Sequence, residues 1–252
     1  MEQLEGLSTR VLGRSFLELE RVDSTNTYLK TGNFPDGCAV LALEQYSGRG
    51  RRGSGWNTAP GEALAMSVLY HSMKAEDMTL LPLLCGLAAA RAIGPKALVK
   101  WPNDVVAEGK KLVGILCESR IQGGRVEAVC GFGVNLRQDA AFFEQAGLPY
   151  AASVETATGT VFTPRQMAAA VLNELEPLTD LYRERGFFAL KADYEARCIT
   201  LGRQVRVLIG ETAFEGEALG VDRDGSLLCR ISGEVKRITA GSASVRGLYG
   251  YV

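Results

Sequence analysis

Histidine is almost missing from these 252 residues: His71 is the only one. That shortage rules out a zinc centre built on histidines and would leave any serine–histidine–aspartate triad resting on one side chain. The six cysteines (Cys38, Cys85, Cys117, Cys130, Cys198 and Cys229) form no C-x-x-C pair, and none lies within twelve residues of the next. A local metal or redox motif is therefore absent, and five of the six sit in or beside apolar runs, where small buried thiols are expected. Neither sign of charge is in excess: 28 Lys+Arg face 29 Asp+Glu, a net charge of −1. Such a chain offers no general field for duplex DNA or an anionic membrane. The longest uncharged apolar run, Met78 to Ala90, holds thirteen residues including Pro82 and Gly86, too few to cross a bilayer. The opening MEQLEGLSTR lacks the basic-then-apolar plan of a secretory signal. A soluble, reducing, cytoplasmic protein is expected, with no membrane and no DNA partner.

What is present suits an ordinary globular chain. Apolar residues at 46% and charged residues at 23% exclude a disordered or fibrous class. No internal repeat or low-complexity segment is visible. Residues 15–22 alternate like a strand, 38–45 read as a buried strand, and 63–70 as another. Helical apolar spacing over 77–93 stops at Gly94-Pro95. Short runs at 97–101, 104–107, 111–118 and 126–134, split by turn residues, predict a meander of hairpins. Thr163-Pro164 opens a helix as cap and first-turn proline, and helical patterning continues to about Arg197. Beyond residue 200, runs at 203–209, 212–221, 225–231 and 234–240 read as short strands of a small barrel. The layout is an α+β body over 1–198 and a small β domain over 199–252.

Four segments carry candidate chemistry. SGRGRRGSGW, residues 47–56, holds four glycines and three arginines and reads as a loop. Its G-x-G-x-x-G match fails as a dinucleotide fingerprint, because no helix start follows and position 71 is histidine instead of an acid. Glycine amides and guanidinium forks nonetheless make a cradle for phosphate or carboxylate, beside an aromatic, Trp56, that can stack on a base. Read alone, the segment is equally a solvated basic loop with a core tryptophan. In KWPND, 100–104, the proline enforces extended backbone at Trp101 and sets Asn103 and Asp104 at the start of a strand, where Asn103 suits an adenine edge and Asp104 a metal or an amine, unless the segment is a plain turn. In GKKLVGIL, 109–116, strand alternation turns one lysine toward a cleft and the next away. GFGVNL, 131–136, ends a buried strand on Asn135, with glycines that invite close approach.

In order and together with Asp23-Ser24-Thr25-Asn26 and Glu44-Gln45, these segments make the chain resemble the biotin–protein ligase family in its short form, over about residues 23–136. Only 22 residues precede Asp23, fewer than the helix-turn-helix unit of the long-form repressors needs. The resemblance implies a mixed β-sheet flanked by helices, like the class II synthetase or biotin ligase catalytic core, followed by an SH3-like β-barrel. It implies that biotin and ATP, with Mg²⁺, give biotinyl-5′-AMP and pyrophosphate, and that biotin then passes to one lysine of a biotin carboxyl carrier protein of acetyl-CoA carboxylase or a related carboxylase. Ser24, Thr25, Asn26 and Gln45 would bind the ureido head. Arg49, Gly50 and Arg51 would cover the carboxylate and phosphate, and Lys111 would bridge the two. Trp56, Asn103, Asn135 and Arg52 would serve the nucleotide. Asp104 would orient or deprotonate the carrier lysine, with Lys111 and Arg51 the other catalytic residues. The loop over 47–56 is expected to order on the adenylate. Dimers occur in the family, and exposed strand edges are compatible with a homodimer. Rival readings are a lipoate or octanoyl ligase on a similar core, a non-catalytic carrier-binding module, and a nucleic-acid module resting on Arg49, Arg51 and Arg52.

Overall fold

A computed structural model describes residues 3–56, 59–122, 125–240, 243–247 and 251; within these, the side chains of Arg52, Ser72, Gln122, Arg125, Ala243 and Ser244 are outside the description. Seven strands form the larger sheet: β1 (Phe16–Val22), β2 (Ala39–Gln45), β3 (Ala63–Met73), β4 (Leu98–Lys100), β5 (Asp104–Ala107), β6 (Lys110–Gln122) and β7 (Arg125–Asn135). Their spatial order is β1-β2-β3-β7-β6-β5-β4. Only β1 and β2 run parallel, joined through α1 (Thr25–Thr31); the other neighbours are antiparallel. The expected meander is β4 to β7.

Side-chain alternation divides this sheet into two faces. Met66, Val68 and Tyr70 of β3, Val113 and Ile115 of β6, and Cys130, Phe132 and Val134 of β7 join the main core with α2 (Asp77–Ile93) and α5 (Pro164–Arg185). The opposite face carries α1 and a small cluster of Leu29, Val40, Leu69 and Val129. On that face, intervening positions fall to Ser67, Gly114, Gly131 and Gly133, so the sheet there is polar and bare of side chains. The α2 limits coincide with the sequence reading, because Gly94 ends the helix in a backbone state other residues avoid (φ 123°). Around α5, Thr163 and Gln166 form a reciprocal capping box.

Two expectations change, and the stretch between β7 and α5, unassigned from sequence, proves partly helical. The helical stretch to Arg197 is broken at Gly186 (φ 71°), which separates α5 from α6 (Phe188–Ala196). Two short helices, α3 (Ala140–Gln145) and α4 (Val154–Thr158), lie between β7 and α5. The C-terminal sheet has five strands, not four: β8 (Gln204–Ile209), β9 (Thr212–Val221), β10 (Leu227–Ile231), β11 (Glu234–Ile238) and β12 (Ala243–Gly247). Its order is β11-β10-β9-β8-β12, all antiparallel. Glycine and serine in 241–247 hide β12 from a propensity reading. No helix among the described residues is long and apolar enough to cross a membrane.

Candidate active site

A cavity of about 720 Å³ opens over the glycine-bearing face of β6 and β7. Its walls come from α1, the 47–56 loop, the β4–β5 turn and the C-terminal sheet. Eleven of the residues singled out in the sequence line it: Ser24, Thr25, Asn26, Gln45, Arg49, Gly50, Arg51, Trp56, Asn103, Asp104 and Lys111. They occupy three stations along β6 and β7.

At the first station α1 presents its N-terminal turn to β3. The Thr25 amide and hydroxyl donate to Gln45 Oε1 at 2.8 and 3.2 Å. Ser67 Oγ lies 2.6 Å from both Thr25 Oγ1 and Asn26 Oδ1. Asn26 Nδ2 donates to the Leu116 carbonyl (3.1 Å) and to Glu118 Oε2 (2.9 Å). A Cβ on Gly131 would overlap Asn26 Oδ1, so only glycine leaves this amide its place. The result is a small buried set of hydroxyls and amides, oriented before any ligand arrives.

The second station is the 47–56 loop. It is less irregular than its composition suggests: Arg49 and Gly55 form a bridge around a 3-10 turn, Arg51–Gly53. Trp56 lies against the bare sheet. A Cβ on Gly133 would collide with its indole ring, and one on Gly114 would come within 3.0 Å of Trp56 Cζ3. Because Gly114 and Gly133 are register partners, they make one slot. Arg51 Nη1 donates to Asn103 Oδ1 at 2.8 Å, and its Nη2 donates to the Ala240 carbonyl at the entry to β12. Asn103 Nδ2 donates to the Ile115 carbonyl at 2.9 Å. The asparagine of KWPND thus ties the arginine loop to the sheet.

At the third station Lys111 Nζ stands 2.7 Å from Asp104 Oδ1, and the Tyr251 hydroxyl donates to Asp104 Oδ2. Burial pushes the Asp104 carboxyl up, but Lys111, Lys100 and the Tyr251 hydroxyl outweigh it and hold it below the ordinary carboxylate value. Lys100, buried at 7% exposure, lies across the β4–β5 hairpin from Asp104 with its ammonium 3.9 Å from the centre of the Tyr251 ring. Burial lowers its pKa to about 8, against the pull of Asp104 and with Lys111, Arg246 and Arg51 repelling. Lys110, the other lysine of the turn, is exposed.

Some assignments sit differently from expectation. Arg49 lines the cavity, yet its Nη2 is 2.6 Å from Glu118 Oε1, because Glu118 is a carboxylate within reach that no motif contains. Burial raises the Glu118 pKa, but Asn26, Lys30 and Arg49 lower it more. Asn135 is not among the lining residues: at the last position of β7 its Oδ1 accepts from Gln138 Nε2 at 3.3 Å. The Arg52 side chain lies outside the described residues. Ser67, Glu118, Lys100, Tyr251 and Arg246 were missed as site residues. Lys100 alone had a signal, inside KWPND. Three cysteines remote in sequence (Cys85, Cys117 and Cys130) bring their sulfurs within 4.8 Å of one another on the core face.

Comparisons with known proteins agree with this layout. Residues 18–135 match the Biotin/lipoate A/B protein ligase family, and 200–246 match the Biotin protein ligase C terminal domain. The chain is 34% identical over 226 residues to the Biotin--[acetyl-CoA-carboxylase] ligase of Paracoccus denitrificans, covering 84% of this chain and 92% of the relative. It is 31% identical over 242 residues to the Bifunctional ligase/repressor BirA of Bacillus spizizenii, covering 92% and 74%. The biotin protein ligase of Aquifex aeolicus, solved with biotin and ATP, superposes with a TM-score of 0.82 at 29% identity, covering 93% of this chain and 99% of that one.

Proposed function

The chain belongs to the biotin–protein ligase family, and we propose that the cavity described above is where it joins biotin to ATP and then hands biotin to a carrier lysine. It is an ATP-dependent biotin–protein ligase of the biotin–[acetyl-CoA-carboxylase] type. The observation that carries the site assignment is the convergence, in one cavity, of a buried amide–hydroxyl set with a lysine–aspartate pair and an arginine loop.

Biotin's carboxylate is already a nucleophile, so activation needs no strong base. It needs the carboxylate and the α-phosphate held together against their repulsion. The polar set of Ser24, Thr25, Asn26 and Gln45 offers the donors and acceptors that a ureido ring requires. From there β6 leads to Lys111, whose ammonium neutralises charge building between carboxylate and phosphate. Arg51, braced by Asn103 and Ala240, covers the same charge; the Gly50 amide donates to the Ser54 carbonyl at 2.6 Å and would reach the substrate only by turning from it. Trp56 in its glycine slot supplies a face for adenine. Asp104 keeps Lys111 aimed. Asn135 and Arg52 remain proposals for the nucleotide, supported by the motifs alone.

Mg²⁺ fits as a passenger of the nucleotide. Asp104 is the acidic residue lining the cavity, and its oxygens face Lys111 and Tyr251, so the described residues hold no spare carboxylate set; magnesium commonly enters on substrate phosphates. The cation would share the phosphate charge there. The cysteine trio offers only soft sulfur ligands and is no place for it.

The matches at 18–135 and 200–246 support a catalytic domain over 1–198 and a C-terminal β domain over 199–252, which we read as SH3-like. Its β12 and Tyr251 complete the cavity wall. The partner would be the biotin carboxyl carrier domain of a carboxylase, in the cytoplasm, where the six free thiols are at home. Pairing through an exposed sheet edge would give a homodimer. The test is pyrophosphate release on mixing the protein with ATP, Mg²⁺ and biotin, lipoate or octanoate. Release with biotin alone supports the reading; release with lipoate or octanoate in preference to biotin overturns it.

A further inference from the structure

The transfer half of the reaction requires a group to take a proton. A lysine amine on the carrier attacks the carbonyl carbon of biotinyl-AMP, the nitrogen becomes positive, and AMP leaves with the electron pair of the carbon–oxygen bond. One proton must then leave nitrogen. Asp104 is the obvious acceptor by residue type, and the structure argues against it. Both of its oxygens are engaged, by Lys111 and by Tyr251, and its surroundings hold it below the ordinary carboxylate range, which makes it a weak base.

Lys100 has the opposite character. It lies at the end of β4, register partner of Asp104 across a three-residue turn, so the two side chains leave the hairpin on the same face. It lines the cavity, yet is 7% exposed. Tyr251 covers one side of its ammonium at 3.9 Å, and no carboxylate of the described residues is within ion-pair distance of it. The charged groups facing it come from each surrounding element: Asp104 from β5, Lys111 from β6, Arg51 from the loop and Arg246 from β12. One attracts and three repel.

Resting on the ligase reading above, the geometry points to Lys100 as the group that accepts the proton of the carrier lysine during transfer, with Asp104 a positioning residue that holds Lys111. The buried ammonium, lowered to about 8, is neutral in about a tenth of molecules at pH 7, against far fewer for an exposed lysine. An acceptor of that strength is matched to a tetrahedral ammonium that must shed its proton, and general base catalysis of this kind contributes about 10²–10⁴-fold. As the adenylate binds, its phosphate adds negative charge beside the ammonium, so the proton taken up is stabilised where it lands. Lys100 then returns it to water as AMP departs.

The experiment uses the full-length protein loaded with biotinyl-AMP, mixed with an isolated biotin carboxyl carrier domain, and transfer is followed in a single turnover from pH 6.5 to 9.5. For the unaltered protein, the logarithm of the rate should climb with a slope of about two up to the Lys100 pKa, which the adenylate phosphate raises above its ligand-free value of about 8. The slope should be about one between there and the carrier lysine's own pKa of about 10.4. Lys100→Gln and Lys100→Arg should both climb with a slope of about one throughout. Each should lose at least tenfold more in transfer than in pyrophosphate release. Hydroxylamine, whose adduct nitrogen is a far stronger acid than an alkylammonium and sheds its proton to water unaided, should take biotin from the Lys100→Gln adenylate with far less loss than the carrier shows. Transfer by Lys100→Arg at the unaltered rate would overturn the proposal and leave Lys100 a fixed charge. Equal loss in both half-reactions, or equal loss with hydroxylamine, would overturn it in favour of a structural role. If the unaltered protein forms no biotinyl-AMP, the ligase reading itself fails, a result visible before any variant is made.

Discussion

Lys111 Nζ lies 2.7 Å from Asp104 Oδ1 across the β5–β6 hairpin. The two side chains come from different motifs of the sequence, and their pairing fuses those motifs into one device. Remove the lysine and two things follow. Lys111→Ala should lower biotin-dependent pyrophosphate release by about 10²–10³-fold, the usual scale for one preorganised charge at a developing anion. It should also cost about 1–3 kcal/mol in a denaturant melt, because a buried carboxylate is left short of a partner. Undiminished pyrophosphate release would remove Lys111 from the reaction.

Gly133 provides a second test. A Cβ there collides with the Trp56 indole but asks nothing unusual of the strand, so Gly133→Ala should fold normally. Its affinity for ATP should fall by about tenfold or more, with biotin binding much less affected. Calorimetric titration of the two ligands separates the effects. An unchanged ATP affinity would mean that the Trp56 face is not the adenine seat.

Arg49 and Glu118 form a tie between the loop and β6. Arg49 is 43% exposed on its side chain, so the pair is worth only about 0.2–1 kcal/mol. Glu118→Gln should weaken biotin retention by two- to fivefold and speed adenylate escape. Amide exchange over 47–56 should slow on binding biotinyl-AMP; equal exchange with and without it would contradict loop closure.

Burial of Lys100 has a cost with a defined pH window. The unfolded chain keeps this proton up to about 10.5, the folded one only to about 8. Below pH 8 both states are protonated and the folded state bears the full penalty. Between the two values the unfolded chain binds more protons, so stability contributed by this group rises with pH. Lys100→Met should therefore melt higher than the parent at pH 7, and the difference should shrink between pH 8 and 10. A difference independent of pH would mean the ammonium is well hydrated.

Much of this was legible in the sequence, for physical reasons that also explain the gaps. Local signals carry local structure: Gly94 and Pro164 marked helix limits, and turn residues marked the β4–β7 meander. The motif residues were legible because loops and hairpin ends display the side chains that bind. What was hidden depends on three-dimensional register. Ser67 is a serine inside an apolar strand and shows its role only once α1 is packed beside it. Tyr251 and Arg246 lie about 150 residues from the lysines they approach. Cys85, Cys117 and Cys130 looked unrelated because spacing along a chain says nothing about two strands and a helix meeting on one face. Asn135, by contrast, carried a motif signal, yet its side chain turns to Gln138.

The most direct measurement is calorimetry with biotin, followed by ATP and Mg²⁺, and then mass spectrometry of what the protein retains. Biotin should bind alone, ATP should bind after it with release of pyrophosphate, and biotinyl-5′-AMP should be recovered at one per chain. Recovery of unreacted biotin and ATP, or of neither, would contradict a single cavity that activates the vitamin.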